Sequence, residues 1–173
     1  GSSQGISRAA DREGLERAIE LAREHDPKVL VEAAITGREV ECAVLESPGD
    51  EPPVASLPGE ITVHGDHDFY DFEAKYLADD ITVTVPAELP AEKSEELRRL
   101  AVRAYEALGC EGLARVDFFY TPAGELIVNE INTMPGFTPT SIAPRLWQAS
   151  GLSYPELVER LIRLALERPV GLR

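Results

Sequence analysis

Apolar residues recur along this chain with two different periods. At three-and-four spacing, Leu15, Ala18, Ile19 and Ala22 give a helix from about Arg12 to Glu24 one apolar face, with Asp11 or Ser7 available as its cap. Leu97, Leu100, Ala101, Ala104 and Leu108 line the inner side of a second helix, Ala91 to Leu108, which Gly109 stops. A short helix begins near Ser141 and runs to about Ala149, and an amphipathic one covers Tyr154 to Glu167. Alternation with a period of two marks the strands. Lys28 to Leu45 reads as two strands around a break at Thr36-Gly37, and Gly59–Val63 and Ile81–Val85 read as two more, the latter ended by Pro86. Glu39 and Glu41 share one face, the usual mark of the polar side of an edge strand. Ser47 to Pro58 is a surface loop, His64 to Asp68 a loop whose spacing fits no metal rule, and Phe69 to Tyr76 an ordered loop or lid.

The last two strands carry chemistry. Gly112 to Tyr120 and Glu125 to Asn132 flank the turn-forming Thr121-Pro-Ala-Gly124 and read as a hairpin. Arg115 and Asp117 share a face, and so do Glu130 and Asn132. An even loop sets Asp117 opposite Glu130 and Arg115 opposite Asn132, so that two carboxylates and an amide oxygen converge on a site suited to Mg2+. A three-residue loop, which Pro-Ala-Gly also fits as a type I turn plus bulge, sets the two acids on opposite faces. The plainer alternative is a solvated polar face.

Composition narrows the partners. The 173 residues suffice for one sizeable domain or two small ones, and 43% hydrophobic content is that of a folded protein. A net charge of −14 disfavours nucleic acid and anionic membrane. A small phosphate ligand remains compatible, because local groups set the field inside a cleft. Cys42 and Cys110 sit singly in apolar runs and read as buried thiols. No apolar run reaches membrane-spanning length and no signal peptide is evident, so cytoplasm is expected. The opening Gly1-Ser-Ser-Gln-Gly5-Ile-Ser-Arg8 is either a linker scar or a loop whose backbone N–H groups and hydroxyls hold phosphate.

Five motifs, in order, resemble the ATP-grasp enzymes and within them the D-alanine–D-alanine ligases. They are Gly1-Ser-Ser-Gln-Gly-Ile-Ser7, Glu32-Ala-Ala-Ile-Thr-Gly-Arg-Glu39, Asp71-Phe-Glu-Ala-Lys75-Tyr76, Gly112-Leu-Ala-Arg115-Val-Asp117 and Asn129-Glu-Ile-Asn-Thr-Met-Pro-Gly136. The likeness covers nearly the whole chain. It implies an α+β ATP-grasp fold, a largely antiparallel sheet with flanking helices. It also implies an ATP-dependent reaction in which one D-alanine carboxylate becomes an acyl phosphate that the amine of a second D-alanine attacks. The resemblance assigns Asp117, Glu130 and Asn132 to two Mg2+ ions (Mn2+ as alternative), with Glu130 shared. It assigns Arg115 and the Gly136 N–H to oxyanion stabilisation, and Ser141 to the second substrate's carboxylate. Lys75 and Ser3 fall to the phosphates, Tyr76 to a link with Ser2, Glu32, Ala33 and Ile35 to adenine, and Glu39 to the ribose.

The family also has an N-terminal domain and opening strands of a central domain that are absent here. The expectation is therefore a C-terminal portion, inactive alone. Residues 1–36 would be a remnant of the central domain, with phosphate loop, helix and hinge strand. Residues 37–173 would be the C-terminal domain, with ATP in the cleft between them. The intact enzyme would be a cytoplasmic homodimer serving peptidoglycan precursor synthesis. The nearest rivals are a D-alanine–D-lactate ligase, disfavoured by Lys75-Tyr76, and another ATP-grasp carboxylate–amine ligase. A non-catalytic Mg-nucleotide-binding module is the rival from another class.

Overall fold

A computed structural model describes residues 5–63 and 81–168. Its contacts divide the chain into two units, Gly1–Ile35 with Val63–Ile81, and Thr36–Thr62 with Thr82–Arg173. Ser2, Ser3, the His64–Asp68 run, Lys75 and Tyr76 lie outside the described residues.

In the first unit, α1 (Arg12–Arg23) starts where the sequence places it: the Asp11 carboxylate accepts from Gly14 N at 2.7 Å. The strand expected over residues 28–35 does not form. These residues are extended or irregular, and Leu30 and Val31 are exposed. A strand is held by ladder hydrogen bonds, and among the described residues this segment has no ladder partner.

The second unit is built on a six-stranded sheet in the order β4-β3-β1-β5-β6, with β2 also paired to β1. The strands are β1 (Arg38–Leu45), β2 (Val54–Ala55), β3 (Gly59–Val63), β4 (Ile81–Thr84), β5 (Leu113–Tyr120) and β6 (Leu126–Asn132). The β1 pairings with β2, β3 and β5, and that of β5 with β6, are antiparallel. The helices are α2 (Ala91–Ala107), α3 (Ile142–Ala149) and α4 (Tyr154–Glu167). This is the α+β architecture expected, with one correction of position. β1 is central rather than an edge, and Glu41 is 4% exposed.

Period-two alternation sorts the two faces. Val40, Cys42 and Val44 of β1, with Ala114, Val116 and Phe118 of β5, pack against Leu97, Ala101 and Tyr105 of α2. Tyr105 replaces Leu108 on the buried side of that helix, because Leu108 falls at the C-cap and is 64% exposed. On the opposite face, Ala43, Leu45 and Leu113 pack against Ala143, Leu146 and Trp147 of α3 and Leu157 of α4. Those two helices cover only part of the face. The remainder carries Glu41, Arg115 and Asp117, which follow the same alternation.

The hairpin takes the odd loop, yet keeps the acids together. Thr121 N donates to Glu125 O (3.0 Å), Gly124 N donates to Thr121 O (2.9 Å), and Gly124 has φ +80°, so Pro122-Ala-Gly124 is the three-residue turn. From that turn outward the register pairs Tyr120 with Leu126 and Phe118 with Val128. A bulge then intervenes and Asp117 pairs with Glu130, Val116 with Ile131 and Arg115 with Asn132. Asn129 is the extra residue. An odd turn and a one-residue bulge together restore the parity that an even loop would have given.

Candidate functional site

Three adjacent strands bring their polar residues to one face. Glu41 lies directly opposite Asp117, and Asp117 opposite Glu130. Arg115, two residues along β5, stands between Ala43 and Asn132. Its guanidinium turns back on this row. Nε donates to Asp117 Oδ1 and Nη2 to Asp117 Oδ2, both at 2.8 Å, the bidentate fork that suits a carboxylate. The same Nε is 2.8 Å from Glu41 Oε2, an ion-pair contact without a hydrogen bond, since the single Nε–H is directed to Asp117. The three side chains are only 15%, 14% and 5% exposed, so these are ion pairs largely removed from water.

Among the described residues, Glu41, Asp117 and Glu130 stand in a row beside the Arg115 guanidinium. The Asp117 carboxyl is pushed above its usual range, first by burial and further by Glu130, while the Arg115 bonds pull the other way. A group of hard carboxylate and amide oxygens fits a divalent cation of the Mg2+ kind. Asn132 adds an amide oxygen, which already accepts from Met134 N at 3.1 Å and has a second lone pair. Among the described residues no group of three or more His, Cys, Asp or Glu is arranged to hold a metal ion. The set here has two carboxylates and an amide.

The loop after β6 supplies the next group. Ser141 occupies the N-cap position of α3 but does not cap it. Its Oγ instead accepts from Thr138 N at 3.0 Å and pairs with Thr138 Oγ1 at 2.8 Å. Gly136 backs directly onto it, and a Cβ there would stand 3.1 Å from Ser141 Oγ. Phe137 O accepts from Tyr154 OH of α4 at 3.0 Å and so ties the loop to the scaffold.

Arg115, Asp117, Glu130 and Asn132 are thus brought together, and Gly136 with Ser141. Glu39 shares the β1 face with Glu41, two residues away and opposite Phe119. Glu32, Ala33 and Ile35 belong to the exposed run of the first unit. Sequence reasoning missed Glu41, read as solvated, and Thr138, the partner of Ser141. For Glu41 the signal was its shared parity with Glu39. That identifies a face but not the arginine across the ladder.

No helix among the described residues is long and apolar enough to cross a membrane. Residues 1–163 match the family model described as D-ala D-ala ligase C-terminus. The chain is 61% identical over its whole length to a D-alanine–D-alanine ligase of Arthrobacter sp. (strain FB24), of which it covers 46%. It resembles the crystal structure of the VanG D-Ala:D-Ser ligase from Enterococcus faecalis with TM-score 0.82 and 42% identity, covering 95% of this chain and 46% of that one. It also resembles a D-alanine–D-alanine ligase from Bacillus anthracis complexed with ATP, with TM-score 0.74 and 30% identity, covering 91% of this chain and 49% of that one. The chain therefore spans about half the length of the curated relatives it matches. Motif order, sheet register and family match agree: this chain belongs to the D-alanine–D-alanine ligase C-terminus family.

Proposed function

We propose that this chain is the C-terminal portion of an ATP-dependent D-alanine–D-alanine ligase, which makes a peptidoglycan precursor in the cytoplasm as a homodimer. In this reading, residues 1–36 are the remnant of a preceding domain and 37–173 the C-terminal domain. One observation carries the proposal: Glu41, Asp117 and Glu130 form a row across three strands, with Arg115 folded onto it. Asp117, Glu130 and Asn132 would hold Mg2+, as two ions with Glu130 shared and Mn2+ as the alternative, whose charge would offset that of the transferring phosphoryl group. Arg115, forked onto Asp117, would stabilise the oxyanion, a task for a donor held in place before the charge develops. The Gly136 N–H is the second donor, and its missing Cβ lets backbone come close to substrate. Ser141, held by Thr138 at the start of α3, receives the second substrate's carboxylate. By the family resemblance, Glu32, Ala33 and Ile35 would read adenine, Glu39 the ribose, Lys75 and Ser3 the phosphates, and Tyr76 would link to Ser2; the last four lie outside the described residues.

Calorimetric titration of this chain with ATP in Mg2+ should give binding that Asp117→Ala and Glu130→Gln each abolish while the far-UV spectrum stays unchanged. Undiminished binding in both variants would refute the metal site. The complete enzyme, given D-alanine, ATP and Mg2+, should release the dipeptide, whereas the 173-residue chain alone should not. Competition among D-alanine, D-serine and D-lactate for the second position then sets the product. D-lactate winning would replace the dipeptide reading with that of a depsipeptide ligase.

A further inference from the structure

We infer that Glu41 is a positioning residue for Arg115, holding the guanidinium in place while Asp117 serves a cation. The inference rests on the ligase reading above. None of the roles considered so far falls on Glu41, yet it is the most deeply buried carboxylate of the cluster, 5% exposed at its side chain against 14% for Asp117. Burying a carboxylate costs several kcal/mol unless a partner offsets it. Here the partner is the Arg115 Nε, 2.8 Å from Oε2.

Geometry gives that pair a purpose. The row Glu41–Asp117–Glu130 runs across β1, β5 and β6 at the strand spacing of about 4.8 Å. Glu41 and Glu130 therefore flank Asp117 from opposite sides. Both Asp117 oxygens are gripped by Arg115, at 2.8 Å each. They are also the oxygens a divalent cation at Asp117 and Glu130 would draw on. If Asp117 were its only anchor, the guanidinium would loosen whenever that carboxylate turned to a cation. It would regain rotamer freedom just when its orientation matters. Glu41 lies on the far side of the row from Glu130, its carboxylate 2.8 Å from Nε and placed to accept the Nε–H when Asp117 turns to a cation. Across from Arg115 stands Ala43, fully buried, whose methyl group leaves room for the guanidinium to lie back toward β1. Two carboxylates with one arginine between them thus divide the work: Asp117 is shared with the ligand, and Glu41 is not.

The test is a double-mutant cycle in the complete enzyme joined to a spectroscopic readout on the chain. Glu41→Gln should lower kcat roughly tenfold, with KM for D-alanine and ATP changed less than about threefold, the signature of an interaction made in the transition state. In an Arg115→Ala background it should cost nothing further, because the residue it positions is gone. In 15N–1H spectra of labelled arginine side chains, the Arg115 Nε–H signal, assigned by its loss in Arg115→Ala, should shift and exchange faster with water in Glu41→Gln. Glu41→Asp keeps the charge and shortens the reach. It should show the same shift with a smaller kcat loss, and it serves if the Gln variant fails to fold. Additive kcat losses, an effect confined to KM, or an unmoved Nε–H signal would each overturn the inference. Absence of dipeptide synthesis by the unaltered enzyme would instead overturn the ligase reading, and the Nε–H comparison separates the two failures.

Discussion

Replacing Arg115 by Met removes the guanidinium that pairs with Asp117 and Glu41 while keeping most of the side-chain volume. The native pairs, at 2.8 Å and with all three side chains no more than 15% exposed, sit far enough from water for their loss to be felt. Leaving a buried ion without its partner costs ~3–5 kcal/mol. For a chain of this length, where each kcal/mol moves the melting point by roughly 2–4 °C, the midpoint should fall by roughly 6–20 °C in cation-free buffer. The same change should sensitise the protein to Mg2+. In the native chain Arg115 already occupies both Asp117 oxygens, so a cation must compete for them. In Arg115→Met that competitor is gone, and Mg2+ at about a hundred times its dissociation constant should restore ~2.7 kcal/mol. Thermal melts of both proteins, with and without MgCl2 and with KCl matched for ionic strength, measure this directly. The expected result is a Mg2+-induced rise several degrees larger in the variant than in the native chain. Equal rises, or a rise that KCl reproduces, would refute the idea that Arg115 and a divalent cation compete for one carboxylate.

Two further outcomes follow from particular contacts. Burial pushes the fully enclosed Cys42 thiol up to about 12, whereas the unfolded thiol ionises near ~8.5. The folded state therefore keeps its proton, and the stability this confers below pH ~8.5 is lost as pH rises toward 12, about 2 kcal/mol by pH 10. Urea midpoints measured from pH 8 to 10 should decline less steeply in Cys42→Ala, and identical slopes would contradict the assignment. Gly136→Ala would set a Cβ 3.1 Å from a Ser141 Oγ that Thr138 holds at 3.0 and 2.8 Å. Steady-state kinetics of the complete enzyme should show KM for the second D-alanine raised ~10-fold, about the lower end of an overpacking cost, with KM for ATP unmoved. A change in the ATP constant alone would separate Gly136 from the carboxylate site.

Helices were the most readable part of this chain. The three-and-four pattern set α4 at Tyr154–Glu167, and Asp11 marked the start of α1, because both signals are local. Strand neighbours were harder. Alternation tells which residues share a face but not what lies beside the strand, so Glu39 and Glu41 looked solvated although β1 runs through the middle of the sheet. The segment over residues 28–35 has the apolar content of a strand, yet it lacks a ladder partner among the described residues, and without one the pattern forms nothing.

The hairpin shows why a site can be readable while its geometry is not. Pro122-Ala-Gly124 carries a local turn signature, with Gly124 in the left-handed region that glycine tolerates. That turn alone would set Asp117 against Asn129 and send Glu130 and Asn132 to the face packed on α2. The bulge at Asn129 reverses this, and no local feature of Val128-Asn-Glu130 announces it. What selects it is energetic and non-local. Without the bulge, Ile131 would leave the apolar cluster beside Val116, and the Glu130 carboxylate would enter it. That exchange is costly on both counts, since it exposes apolar surface and buries a charge. The same preference that keeps Ile131 in the core holds Glu130 beside Asp117, so the apolar side of the hairpin fixes the register of its acidic side.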